Sequence, residues 1–121
     1  LVISAGTFDI YDSYRAVEKK LRDGADFTAI FSIADNMAIG AMRALREAGK
    51  KVPEDCSVIA IDGLEVSEYI DPPLATLCQP MEEMGRRSVE ILLELIAGTG
   101  ENRQETLPTS YRTGASVRRI D

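Results

Sequence analysis

VPEDCSVIAIDGLEVSEYIDPP, residues 52–73, opens on a proline–acid turn and closes on two prolines. Between them, Cys56–Ile61 is a near-continuous apolar run rich in β-branched side chains. That pattern suits a parallel strand covered on both faces. The run ends on Asp62-Gly63, an acid followed by a residue that turns easily. In an open α/β sheet the carboxyl ends of the strands line the crevice where ligands bind. Asp62 therefore has two readings: a ligand contact, or an acid that bonds nearby backbone N–H groups in a turn.

Working outward, Phe27–Ile33 is a second apolar strand and Leu1–Ile3 a shorter third, with Ser4–Phe8 as the loop at its carboxyl end. Tyr14, Val17 and Leu21 recur at helical spacing and predict a helix over 12–23, stopped at Gly24. Asp35 stands at the N-cap position of a helix running to about Ala48 and ended by Gly49. Its apolar face is Met37, Ala38, Ala41, Met42 and Leu45. Strand, helix, strand, helix, strand with short connections predicts an α/β fold: an open, mostly parallel sheet, wound right-handedly, with helices on both faces.

Downstream, Glu65–Tyr69 has room for one helical turn before Pro72-Pro73 forbids more helix. Leu74–Leu77 reads as extended, and Pro80 suits the first turn of a helix over 81–97. Met84, Ser88, Ile91, Leu92, Leu95 and Ile96 give that helix a broad apolar stripe. Two further extended pieces, Glu105–Leu107 and Ser110–Val117, flank Pro108.

A chain of 121 residues is enough for one domain with one core. A net charge of −6 argues against this piece gripping nucleic acid, which needs a basic face. No apolar run approaches the roughly 18–20 residues that span a membrane. The composition points to a soluble cytoplasmic protein; since the first residue is Leu1, an upstream leader is compatible with it. Cys56 and Cys78 lack a metal-type spacing and read as free thiols. The absence of His removes the usual zinc sites and His-based triads. No Gly-x-Gly-x-x-Gly or phosphate-binding Gly-Lys loop is present, and Ser32, Ser57 and Ser67 lack a nucleophile elbow. Asp35 and Asp62 are each explicable without a shared cation, so no metal, cofactor or catalysis is expected.

The segments Pro53–Asp62, Pro72–Thr76 and Gln79-Pro80 resemble the LacI/GalR family of bacterial transcription regulators. Upstream, Ala34–Ala41 and Gly6-Thr7-Phe8 match further family signatures. Downstream, Met84–Arg87 and Arg112–Ser116 do the same, in the family's order and spacing. The likeness covers nearly the whole chain. It implies the C-terminal, periplasmic-binding-protein-like lobe of an effector-binding domain, with a Rossmann-like sheet. Residues 80–108 resemble the segment that crosses to the N-terminal lobe, and the DNA-binding headpiece and most of that lobe would lie outside these residues.

The resemblance also implies roles. Phe8 would stack on a small polar effector, sugar-like or nucleobase-like, and Asp62 would accept its hydrogen bonds. Phe8 alone also reads as a packing aromatic. Asp35 is a weaker ligand candidate beside its reading as a cap, and Met81 could touch ligand at the cleft floor or be core. Sugar-binding members often carry a polar side chain at the Ala34 position, where this chain has a methyl. Ile39, Met42, Tyr69 and Ile70 fall on surfaces through which such regulators form homodimers, although Ile39 and Met42 also read as core. Arg86-Arg87 beside Glu82-Glu83 reads as a solvated helix face. Operator DNA would be reached only through the headpiece, with ligand and DNA linked by a shift between lobe arrangements. The stripe of helix 81–97 then needs a cover, on the local sheet or on another copy. The rival readings are a periplasmic-type sugar-binding protein of a transport system and an interaction module without ligand.

Overall fold

In the computed structural model, which describes residues 1–119, the helix predicted over 12–23 begins earlier, as α1 (Ile10–Arg22). The reason is local: the Asp9 carboxylate accepts from the Tyr11 and Asp12 N–H groups at 2.7 and 3.2 Å and caps the first turn. After Gly24 come β1 (Ala29–Phe31), α2 (Asp35–Glu47) and β2 (Ser57–Asp62). A single 3-10 turn, Glu65–Glu68, precedes β3 (Ala75–Cys78), α3 (Met81–Ile96) and β4 (Ser110–Arg112). The strands form one sheet in the order β1-β2-β3-β4, and the β1–β2 and β2–β3 pairs are parallel. This is the open, mostly parallel α/β arrangement that the alternating pattern predicts.

Two compact units divide the chain. The first comprises Leu1–Cys78 with the residues from Tyr111 onward, and the second is Gln79–Ser110. In the first unit, Ala38, Met42 and Leu45 of α2 pack on Cys56, Val58, Ala60 and Leu74. Val17 of α1 meets Ala41 and Ala44 of α2, against the half-buried Ile30. Gly40 lets the two helices approach: a Cβ there would lie 2.2 Å from the Ile10 carbonyl oxygen. Ser13 adds a hydrogen bond across the contact, its hydroxyl donating to the Met37 carbonyl at 2.7 Å. Residues Val58 and Ala60 of β2 are buried under these helices, whereas Ile59 and Ile61 are half-buried on the other face. Phe31 on β1 is exposed.

Three predicted strands differ. Leu1–Ile3 takes no strand pairing, and Leu1 and Val2 are exposed. Ser110–Val117 is a strand only to Arg112, because the chain beyond Arg112 wraps against β2 and β3 instead. Gly114 lies so close that a Cβ would meet the Ala75 nitrogen and the Pro73 carbonyl oxygen at 2.4 Å. The buried Ser116 hydroxyl donates to the Val58 carbonyl at 2.6 Å and accepts from the Ala75 N–H at 2.8 Å. Residues 105–107 are irregular, and Glu105 serves ion pairs rather than a ladder.

In the second unit, Pro80 precedes α3, and Arg87 and Arg103 converge on Glu105. Those guanidinium groups, Arg87 first, hold the Glu105 carboxyl down at about 2. The helix buries none of its residues: Leu92 of the stripe is 55% and Ile96 73% exposed. An uncovered stripe of this width favours self-association, at about 25 cal/mol per Å² of apolar surface removed from water. Sedimentation velocity of the 121-residue chain is expected to show concentration-dependent association. A single monomeric species across a hundred-fold concentration range would contradict this.

Candidate functional site

β2 delivers Asp62 to the carboxyl end of the sheet in a backbone state that an L residue seldom adopts, with φ 142°. Gly63 comes next at φ 83°, and position 63 has room only for hydrogen: a Cβ would lie 2.6 Å from the Cys78 sulfur. Cys78 is the register partner of Asp62 on β3. Asp62 is half-buried, and its Oδ2 accepts from the backbone N–H of Asp35 at 3.2 Å.

The position of Asp35 corrects the expected N-cap. Ala34 occupies the cap position, in extended conformation and without a side-chain cap bond, so Asp35 is the first helical residue of α2. Its carboxylate turns away from its own helix and toward the loop after β2. Oδ2 accepts from the N–H groups of Gly63 at 3.1 Å and Leu64 at 2.7 Å, and lies 3.0 Å from the Ser67 hydroxyl. Oδ1 accepts from the Thr76 hydroxyl at 2.6 Å. The side chain is 0% exposed. With both oxygens engaged by protein donors, the carboxylate has no face to offer an effector.

Arg112 closes the arrangement from the other side. Its guanidinium donates to the Leu64 carbonyl at 2.9 Å, the Gly63 carbonyl at 3.4 Å, Glu68 at 2.6 Å, and Ser67 Oγ. It stands 4.0 Å from Asp35 Oδ2. Its Nε is buried without a hydrogen-bond partner among the described residues. Sequence reasoning missed Ser67, Thr76 and Arg112 as members of this cluster. The one available signal was Thr76, a hydroxyl inside the apolar β3 segment, which burial obliges to find a partner.

Phe8 is not part of this cluster. Phe8 is 66% exposed on the bend before α1. It lines a depression of about 630 Å³ between Leu1–Phe8 and Ala29–Ile33, floored by Val17, Phe27 and Ala41, whose lining includes neither Asp35 nor Asp62. The lining side chains carry no charge, so this depression alone cannot orient a polar ligand by ionic hydrogen bonds. Met81 begins α3 in the second unit and is about half exposed.

Of the dimer candidates, Met42 is 7% exposed inside the core cluster, which corrects its reading as a surface residue. Ile39 and Ile70 are half-buried and share a second depression, of about 670 Å³, with Arg43, Arg46 and Lys51; Tyr69 is exposed. Among the described residues there is no cluster of potential metal ligands, and no helix is long and apolar enough to cross a membrane.

Residues 2–117 match the family model of the periplasmic binding protein-like domain. The HTH-type transcriptional regulator MalR of Clostridium butyricum is 39% identical over 108 residues, which cover 89% of this chain and 32% of that protein. A LacI family transcriptional regulator from Arthrobacter sp. FB24, solved in complex with lactose, superposes with TM-score 0.79 at 31% identity, over 91% of this chain and 42% of its own. The lac repressor dimer bound to operator and the anti-inducer ONPF gives TM-score 0.85 at 33% identity, over 90% of this chain and 38% of its own. The chain spans about a third of the length of the curated relative. It belongs to the periplasmic-binding-protein-like family, as part of an effector-binding domain of the LacI type.

Proposed function

We propose that this chain is the C-terminal lobe of the effector-binding domain of a cytoplasmic transcription regulator, and that it binds a small polar effector by hydrogen bonding rather than by catalysis. The observation that carries the reading is Asp62: a half-exposed carboxylate at the carboxyl end of a central parallel strand, held in a rare backbone state. Sugar-like or nucleobase-like ligands present hydroxyl or amine donors that such a carboxylate accepts strongly. Phe8 supplies apolar cover to the ligand's ring from its depression beside Ser32 and Ile33, which lead into α2. The second unit, Gln79–Ser110, serves as the crossing toward an N-terminal lobe, and Ile39, Tyr69 and Ile70 contribute to a homodimer. Support comes from the likeness to a lactose-bound regulator and to a repressor dimer on its operator. DNA is reached through another part of the regulator, consistent with the acidic charge of this piece.

The test uses the regulator at full natural length, with operator release as readout and a panel of mono- and disaccharides and nucleobases. Asp62→Ala removes charge-assisted hydrogen bonds of about 1.5–3 kcal/mol. The effector concentration for half-release should therefore rise about ten- to a hundred-fold, with operator affinity unchanged. An unchanged response would remove Asp62 from the site.

A further inference from the structure

We propose that Asp35 is a positioning residue for the effector site: it sets the direction of the Asp62 carboxylate without touching ligand. This rests on the reading of Asp62 given above. The starting point is that Asp62 at φ 142° and Gly63 at φ 83° form a turn that persists only where its surroundings over-determine it. Those surroundings are reciprocal. The Asp35 N–H holds the Asp62 side chain, while the Asp35 side chain holds the two N–H groups that come after Asp62. A carboxylate thus grips the donor side of the turn, and the Arg112 guanidinium grips its carbonyl side at Gly63 and Leu64. Thr76 on β3 fixes the free oxygen of Asp35, so the grip is referred to the sheet and not to the loop itself. The buried Nε of Arg112, without a partner among the described residues, fits this role, since the guanidinium is placed for the turn at the expense of one of its own donors.

A consequence separates this role from general structural support. Thr76→Val keeps the side-chain shape and removes the donor to Asp35 Oδ1, whereas Thr76→Ser retains the hydroxyl. Amide hydrogen exchange on the full chain is the primary readout. The Gly63 and Leu64 amides should exchange at least ten times faster in Thr76→Val. The Ile59 and Ile61 amides of β2 should stay within a factor of two, and Thr76→Ser should restore the native rates. Unchanged Gly63 and Leu64 rates, or an equal acceleration at Ile59 and Ile61, would overturn the proposal. Lactose titration of the same variants gives the second readout. Where the native protein binds it, Thr76→Val should weaken binding about ten-fold and Thr76→Ser should not. Weakening absent in Thr76→Val despite faster exchange would overturn the positioning role. A native protein that ignores lactose counts against lactose as effector, and the exchange data then decide the positioning role alone.

Discussion

Asp35→Ala is expected to unfold the chain at urea concentrations well below those the native protein tolerates, with a loss of about 3–5 kcal/mol. The substitution leaves the Gly63 and Leu64 N–H groups and the Thr76 hydroxyl without their shared acceptor, at a residue that is fully buried, while the Ser67 hydroxyl keeps the Leu64 carbonyl at 2.6 Å. Among the described residues, it also removes the only negative charge within 4.0 Å of Arg112 other than Glu68. Each buried donor left unsatisfied costs about 1–3 kcal/mol, although relaxation and water entry keep the total below a plain sum. A domain with about 5–15 kcal/mol in hand cannot absorb that without a visible shift of its midpoint. Asp35→Asn keeps the shape and one acceptor oxygen, so it should lose less than Asp35→Ala. A loss below about 1 kcal/mol in Asp35→Ala would show that the network carries little of the fold.

Gly40→Ala is the second large effect, and here two terms of opposite sign have to be weighed. In a helix interior, Ala gains about 1 kcal/mol over Gly. Against that stands a Cβ only 2.2 Å from the Ile10 carbonyl oxygen and 2.9 Å from the Tyr14 nitrogen, both backbone atoms of α1 that no rotamer change can move. Relief requires the two helices to part, which breaks the Ser13–Met37 hydrogen bond and loosens the packing of Val17 on Ala41 and Ala44. The clash wins, and a net loss of about 2–3 kcal/mol is expected in urea denaturation. Gly85, inside α3 with open space around its Cβ direction, is the built-in control. Gly85→Ala should gain up to about 1 kcal/mol. Equal behaviour of the two substitutions would contradict the close α1–α2 contact.

A feature was legible beforehand where its signal is local. Strand β2 was readable because an unbroken branched apolar run has few alternatives, and the ends of α1 and α2 were readable because Gly24 and Gly49 supply the positive φ their caps need. The role of Asp35 was not readable. An acid at a helix start looks the same whether it caps its own turn or reaches into a loop, and the donors that decide the matter lie at Gly63, Leu64, Ser67 and Thr76, far along the chain. Leu1–Ile3 misled for the converse reason: strand-like side chains do not make a strand without a paired neighbour. Met42 could be assigned to surface or core only once α2 was laid on β2, and the sheet then took it inward. The Gly114–Ser116 wrap, which ties β2 to β3 through one serine hydroxyl, leaves no periodic trace at all.

Binding of a polar effector at Asp62 is the proposition on which the functional reading stands. Amide chemical-shift mapping of the isotope-labelled protein, titrated with the saccharide and nucleobase panel, probes it at the residue itself. The prediction is a saturable response to at least one compound, concentrated at Asp62, Gly63 and Leu64 and extending to Phe8. Saturable shifts confined to residues away from the β2 carboxyl end, with Asp62 to Leu64 unmoved, would contradict it.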